Sequence, residues 1–255
     1  MSLEDITKAR FAATAAKMAA LGDSRVAGLR TRLGALLSPA GDEVVLDAGT
    51  GTGPIAFALA PLVREVIAVD LVPEMLEQGR ERAGEGSNVR FVLGDALALP
   101  VEDGSVDIAL SSRTLHHVDD PARSIVELAR VVVPGGRAVV VDQVVSEDPH
   151  EAELYERLES MRDPSHVRTL PDSEIRRLLF DSGLVVEHAE LEPEERDLAV
   201  FLDLAGCEGE QRAMVFAYVE ELVAQGETAG VDLRRSHDGF HFTGTVGWYV
   251  ARKPA

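Results

Sequence analysis

The stretch Val45-Leu46-Asp47-Ala48-Gly49-Thr50-Gly51-Thr52-Gly53-Pro54 decides how this chain is read. An apolar run ends in an acid and passes straight into glycines at alternate positions. That is the composition of a buried strand entering a sharp turn through backbone conformations other residues resist. Pro54, suited to a first helical position, predicts a helix beyond the turn. Strand, glycine turn and helix form the ligand-binding start of a doubly wound α/β sheet. The pattern is not that of a dinucleotide site, because G-x-G-x-x-G would need its third glycine where Pro54 stands. No Gly-Lys-Ser/Thr follows, so a phosphate-cradling loop is also excluded.

Outward from this loop, short β-branched runs alternate with helical segments, which predicts repeated βαβ units and a mostly parallel sheet. The expected strands are Glu43 to Ala48, Glu65 to Asp70, Val89 to Leu93, Val106 to Ser111 and Arg137 to Asp142. In such sheets ligands bind outside the carboxyl ends of the strands. Asp70 closes the second strand about 20 residues after the glycines, where an acid hydrogen-bonds ribose hydroxyls. A helical stretch from about Thr7 to Leu37 precedes the core, ended by Pro39 and Gly41. After it come helices near Glu151 to Met161 and Asp172 to Ser182, then strands Leu184 to Leu191 and Phe240 to Ala251. The segment between those two strands, Pro193 to Leu233, carries apolar residues at helical spacing and is read as a lid. The chain is thus expected to be one domain: a helical cap (1–40), a binding core (41–192), a helical insertion or lid (193–235) and a last strand (236–255).

Composition excludes more than it identifies. Against 25 basic residues stand 44 acidic ones, a formal charge of −19, so nucleic acid and anionic membranes are poor partners. The single Cys207 rules out an internal disulfide framework, and no metal site is expected. The longest apolar runs fall far short of a membrane span, and the opening residues lack a signal-peptide core. A cytoplasmic monomer or homodimer acting on a small molecule is the expectation.

Four segments, in order, carry a resemblance: Val45 to Gly53; Val69-Asp70 with Met75-Leu76; Gly94-Asp95-Ala96 with Leu99-Pro100; and Leu128 to Gly136. Together they resemble the successive motifs of class I S-adenosylmethionine-dependent methyltransferases, closest to the ubiquinone/menaquinone-biosynthesis-like (methyltransferase type 11) small-molecule subgroup. The resemblance implies a Rossmann-like seven-stranded sheet with an antiparallel last strand, S-adenosyl-L-methionine as cofactor and S-adenosyl-L-homocysteine as product. It also implies that Gly49, Thr50, Gly51 and Gly53 pass beneath the methionine moiety while Asp47 orients the loop and the cofactor's amino group. Asp70 then takes the ribose, Leu71 and Met75 flank the adenine, and Gly94, Asp95 and Ala96 receive its edge. Ser111, ending strand four, completes this set.

His116 and His117 lie just past strand four, over which an acceptor would sit. Methyl transfer is an in-line displacement in which the protein aligns the acceptor and, where needed, supplies a base. Histidine has the right ordinary pKa for that, and a His pair at a helix start serves equally well as structure. The loop Arg162-Asp163-Pro164-Ser165-His166-Val167-Arg168 resembles a segment of some of these enzymes near the active-site mouth, which brings His166 forward as a catalytic residue and Arg162 as a substrate contact. Phe11 and Met18 are the substrate-side residues expected from the first helix. Two other uses of the same motifs stay open: a cofactor retained non-reactively for another reaction such as cyclisation, and non-catalytic nucleoside binding.

Overall fold

The computed structural model describes residues 1–255. In chain order the elements are α1 (Leu3–Leu37), β1 (Val44–Ala48), α2 (Pro54–Leu59), β2 (Glu65–Asp70), α3 (Pro73–Ala83), β3 (Val89–Leu93), β4 (Val106–Ser112), α4 (Pro121–Val131), β5 (Val132–Val145), α5 (Pro149–Arg162), β6 (Leu170–Pro171), α6 (Asp172–Asp181), β7 (Val185–Asp197), α7 (Leu198–Ala205), α8 (Gly209–Gln225), β8 (Arg234–Arg235) and β9 (Phe240–Arg252). The main sheet runs β3-β2-β1-β4-β5-β9-β7, with two-residue β6 and β8 paired at its margin. The first five strands of that order are parallel, while β9 is antiparallel to both β5 and β7. This is the doubly wound, Rossmann-like sheet with an antiparallel last strand. The order reverses between β1 and β4, and a crevice opens there at the carboxyl ends.

Apolar side chains cover both faces. One cluster sets Leu46, Ala109, Val140 and Tyr249 against Ile125 and Leu128 of α4 and Ile175 and Leu179 of α6. The other sets Val45, Ile108, Val139 and Val250 against α2 and against Leu33 and Leu37 of α1. Burying each such leucine contributes roughly 1.5–3 kcal/mol. That face anchors only the last turns of α1. Thirty-five residues at about 1.5 Å each make α1 about 50 Å long, enough to dock at one end and reach across the crevice with the other. A capping box between Ser2 and Asp5 starts the helix, four residues before the expected Thr7.

The largest departure from the sequence reading is β7. Leu191 is the expected end, with the insertion read from Pro193, yet the strand continues to Asp197, pairing Pro193 with Thr245 and Asp197 with His241. Proline is tolerated because β7 is the sheet edge, and the charges at Glu187, Glu190, Glu192, Glu194, Glu195 and Arg196 suit an edge that must not recruit another strand. The helical insertion therefore begins at Leu198, not at residue 193. Its Phe201, Leu202, Tyr218 and Leu222 form a separate cluster with Tyr155 and Leu158 of α5 and with Phe240 and Phe242 of β9. No helix of the chain is long and apolar enough to cross a membrane.

Candidate active site

The carboxyl ends of β1, β2, β3 and β4, with β5, β7 and β9 on one side and α1 across the top, enclose a cavity of about 760 Å³. That is in the upper part of the ~300–1,000 Å³ range of small-molecule sites. No residue of the insertion borders it, so the expected lid does not cover this space. The cover is α1, which presents Thr7, Phe11, Met18, Leu21, Arg25 and Leu29 on one helical stripe.

The glycine loop forms the floor. Gly49 and Thr50 each donate a backbone N–H to the Val69 carbonyl at 2.9 Å, which ties the turn to β2. Gly49 has φ +73°, and a β-carbon there would lie 2.2 Å from Thr114 Oγ1, so only glycine fits. Gly51 (φ +55°) donates to Asp70 Oδ2 at 2.7 Å, and the missing side chain faces open space. Asp47 is 1% exposed. One of its oxygens accepts from the Thr50 hydroxyl at 2.6 Å; Oδ1 is buried with no partner. Burial pushes this carboxyl up to about 7, against the Thr50 hydrogen bond and with help from the charge of Asp70. A buried acceptor with nothing to accept, beneath a glycine floor, is complementary to a bound amine or ammonium.

Asp70 also accepts from Val72 N–H at 2.9 Å, and burial raises its pKa against these backbone donors. Leu71, Val72 and Met75 form the adjoining wall, with Phe11 and Met18 of α1 packed onto Val72 and Met75. Met18 therefore stands at this end of the cavity, while Phe11 reaches from this wall to the ring of His117. Across from Asp70, Asp95 accepts from Leu97 N–H at 2.8 Å, and Gly94 is required because a β-carbon would sit 2.7 Å from Pro100. Gly94, Asp95 and Ala96 all border the cavity.

Past β4, Asp142 organises the turn that carries the histidines. It accepts from Thr114 and Leu115 N–H at 3.1 and 2.8 Å, from Gln143 N–H at 2.8 Å, and pairs with His116 Nδ1 at 2.6 Å. Burial alone would raise the Asp142 pKa; the His116 ring and the Gln143 amide outweigh it and hold it low. His117 stacks 4.1 Å from the His116 ring and 4.9 Å edge-on from Phe11. Its Nδ1 lies 3.0 Å from the Ser165 carbonyl, which can only accept, so that nitrogen carries the proton and the lone pair is on Nε2. Burial and the neighbouring His116 push His117 down to about 3, keeping it neutral.

Five expected site residues lie elsewhere. His116 is buried behind His117 and does not border the cavity. His166 is buried with Nε2 2.9 Å from Glu156, and Arg162 is buried against Glu159 at 2.7 Å and over the Phe201 ring at 3.9 Å. Ser111 points into the packed interior, its hydroxyl without a partner, while the next residue, Ser112, faces the cavity. Gly53 caps α2 with φ +87° against Phe57 and Phe91, outside the cavity lining. The polar loop instead latches α1: Asp163 takes Arg10 of the helix at 2.7 Å, both side chains buried, and accepts from Ser165 Oγ at 2.6 Å. Sequence reasoning missed Arg25, Arg113, Thr114, Glu194, Val246 and Trp248, all on the wall. The recurrence of cavity residues along α1 at helical spacing was the one available signal.

Residues 46–140 match the methyltransferase domain family. Over 145 residues the chain is 39% identical to the uncharacterised methyltransferase YcgJ of Bacillus subtilis, a stretch covering 56% of this chain and 57% of that protein. It is 40% identical over 106 residues to the demethylmenaquinone methyltransferase of Clavibacter sepedonicus, 42% and 43% of the two lengths. These matches thus span about half the length of the curated relatives. The fold similarity runs further: the YcgJ crystal structure superposes with a TM-score of 0.81 at 26% identity, covering 89% of this chain and 99% of that one. The chain belongs to the class I S-adenosylmethionine methyltransferases.

Proposed function

We propose that this protein transfers a methyl group from S-adenosyl-L-methionine to a small-molecule acceptor. The observation that carries the reading is the unpartnered, buried Asp47 Oδ1 below the Gly49–Gly51 turn, with Asp70 and Asp95 bordering the same cavity. A ligand with an ammonium, a ribose diol and an adenine edge would engage Asp47, Asp70 and Asp95 in turn, with Leu71, Val72 and Met75 against the base. Bound there, the cofactor supplies a methyl group on a positively charged sulfur, an electrophile that needs no metal.

The chain's own contribution is alignment and proton removal. Thr114, pressed against Gly49, fixes the junction between the glycine turn and the rest of the cavity. His117, neutral and with its Nε2 lone pair unengaged by the protein, accepts a hydrogen bond from the acceptor O–H or N–H and so orients it. A base as weak as this takes the proton only once the forming bond to carbon has made it strongly acidic. Asp142 and His116 position the turn that presents it. The cap helix, latched by Arg10 to Asp163, excludes water from the reacting groups.

The test is formation of S-adenosyl-L-homocysteine from S-adenosyl-L-methionine in the presence of a panel of small phenols, amines, carboxylates and quinols. Acceptor-dependent product supports the reading. Cofactor binding with no transfer to any member, while a non-methylating conversion of one of them is catalysed, contradicts it.

A further inference from the structure

The cavity wall away from the glycine loop holds a concentration of positive charge that methyl transfer does not require. Arg25 borders the cavity from the exposed side of α1, at its solvent-facing rim, and makes no hydrogen bond or ion pair with any protein group. Arg113 borders it from the end of β4, in a left-handed conformation (φ +53°) that non-glycine residues adopt at a cost of about 1–2 kcal/mol. Its guanidinium pairs with Glu194 of β7 at 2.8 Å, and the same carboxylate is also taken by Arg196. Two guanidiniums thus share one carboxylate, and Arg25 stands near enough to feel all three charges without pairing, in a chain whose net charge is −19. Partial burial and the neighbouring Arg113 and Arg196 lower the pKa of Arg25 against Glu194. The other nearby acid on this wall, Glu192, is engaged by Arg32 at 3.1 Å. Trp248 stands beside them, 7% exposed, its indole N–H buried with no acceptor and its face covered by the Arg32 guanidinium at 4.3 Å.

We infer that this wall is an oxyanion subsite and that the methyl acceptor is an anion, a carboxylate or a phosphate on an apolar body. Arg25 is its principal ligand, Arg113 contributes from the facing wall, and Val141, Val246 and Trp248 receive the apolar part. A guanidinium presents paired donors matched to an oxyanion, and Arg25 at the rim has its donors uncommitted to any protein acceptor. The rest of the cavity lining carries Glu4, Asp47, Asp70, Asp95 and Asp119, so Arg25 and Arg113 make this wall alone the part of the cavity that favours an anion. The inference rests on this cavity being the methyl-transfer site.

The test is calorimetry on the protein saturated with S-adenosyl-L-homocysteine, titrated with 2-naphthoate, 2-naphthyl phosphate and the neutral 2-naphthamide, for wild type, Arg25→Gln and Arg25→Lys. At least one anion is expected to bind about tenfold or more tighter than the amide. The preference should vanish in Arg25→Gln and survive in part in Arg25→Lys, with cofactor affinity and melting temperature unchanged. The two anions separate a carboxylate site from a phosphate site. Equal binding of amide and anions, no saturable binding of either anion at millimolar concentration, or a preference that survives Arg25→Gln overturns the inference. Weakened S-adenosyl-L-homocysteine binding by Arg25→Gln, with the anion preference intact, assigns the guanidinium to the cofactor's own carboxylate and also overturns it. Failure of wild type to bind S-adenosyl-L-homocysteine breaks the methyl-transfer reading instead, and the anion preference is then read on the ligand-free protein.

Discussion

The two ends of the cavity are built in different ways. The nucleoside end comes from three adjacent parallel strands and the turns that follow them: Asp47 to Gly51 after β1, Asp70 to Met75 after β2, Gly94 to Ala96 after β3. Each group is contiguous, and its polar residues are acids held mostly by backbone amides a few residues away. The acceptor end is assembled from α1, the turn after β4, and the middles of β5, β7 and β9. Arg25 and Trp248 meet there from opposite ends of the chain. Chemistry written into a local turn is fixed by local geometry and suits a ligand common to many proteins. Chemistry assembled from distant segments changes with every alteration of packing and suits a ligand particular to one.

The largest expected effect lies in the latch that holds α1 over the cavity. Asp163→Ala leaves Arg10 buried and unpaired, and chemical denaturation should show a loss of about 3–5 kcal/mol. A change below about 1 kcal/mol would mean that α1 is not held by this pair. Next comes His117→Gln, expected to lower kcat about 100-fold with cofactor affinity retained, measured with the acceptor found by the panel. Equal turnover would remove the proton-transfer role and leave His117 as packing for Phe11.

The Asp47 carboxyl gives the nucleoside end a pH signature. Its pKa is raised from the ordinary carboxylate range to about 7, so the fold favours the neutral form. Its contribution to stability is therefore complete below about pH 4 and is lost as pH rises toward and through 7, where the unfolded chain is already ionised. A bound ammonium favours the ionised form, so cofactor binding should release a proton below about pH 7, and affinity should fall by up to about tenfold per pH unit on acidification. Titrations between pH 6 and 8 in buffers of different ionisation enthalpy measure both, and affinity independent of pH would separate Asp47 from the ammonium. The smallest effect is assigned to the insertion: Met214→Ser, at a residue 51% exposed on α8, should shift stability by less than about 0.5 kcal/mol and leave cofactor binding untouched. A changed cofactor affinity would return the insertion to the role of lid.

The same division governs what the sequence disclosed. The strand ending at Asp47, the glycine turn and the acid closing β2 follow from short-range pattern, because a parallel strand buried on both faces must be apolar and a turn through positive φ must hold glycine. The extension of β7 through Pro193 was hidden: proline signals a break, and only the edge position of the strand makes it harmless. Helical spacing in the insertion showed that its residues are buried but not against what, so the cluster with α5 and β9 read as a lid. His166 and Arg162 were legible as a dense polar loop, yet their partners Glu156 and Glu159 sit on α5, and that pairing consumes them inside the fold. Arg25 gave no signal at all, since an arginine on a long helix is ordinarily solvated.

Calorimetric titration of wild type and Asp70→Ala with S-adenosyl-L-methionine and S-adenosyl-L-homocysteine tests the nucleoside end, and with it the assignment of the cavity, most directly. The expected result is saturable binding of both ligands by wild type and a loss of at least about 100-fold in a folded Asp70→Ala, the magnitude of about 3 kcal/mol for charge-assisted hydrogen bonds withdrawn from a sugar. Undiminished binding by the variant, or no binding by wild type, would contradict it.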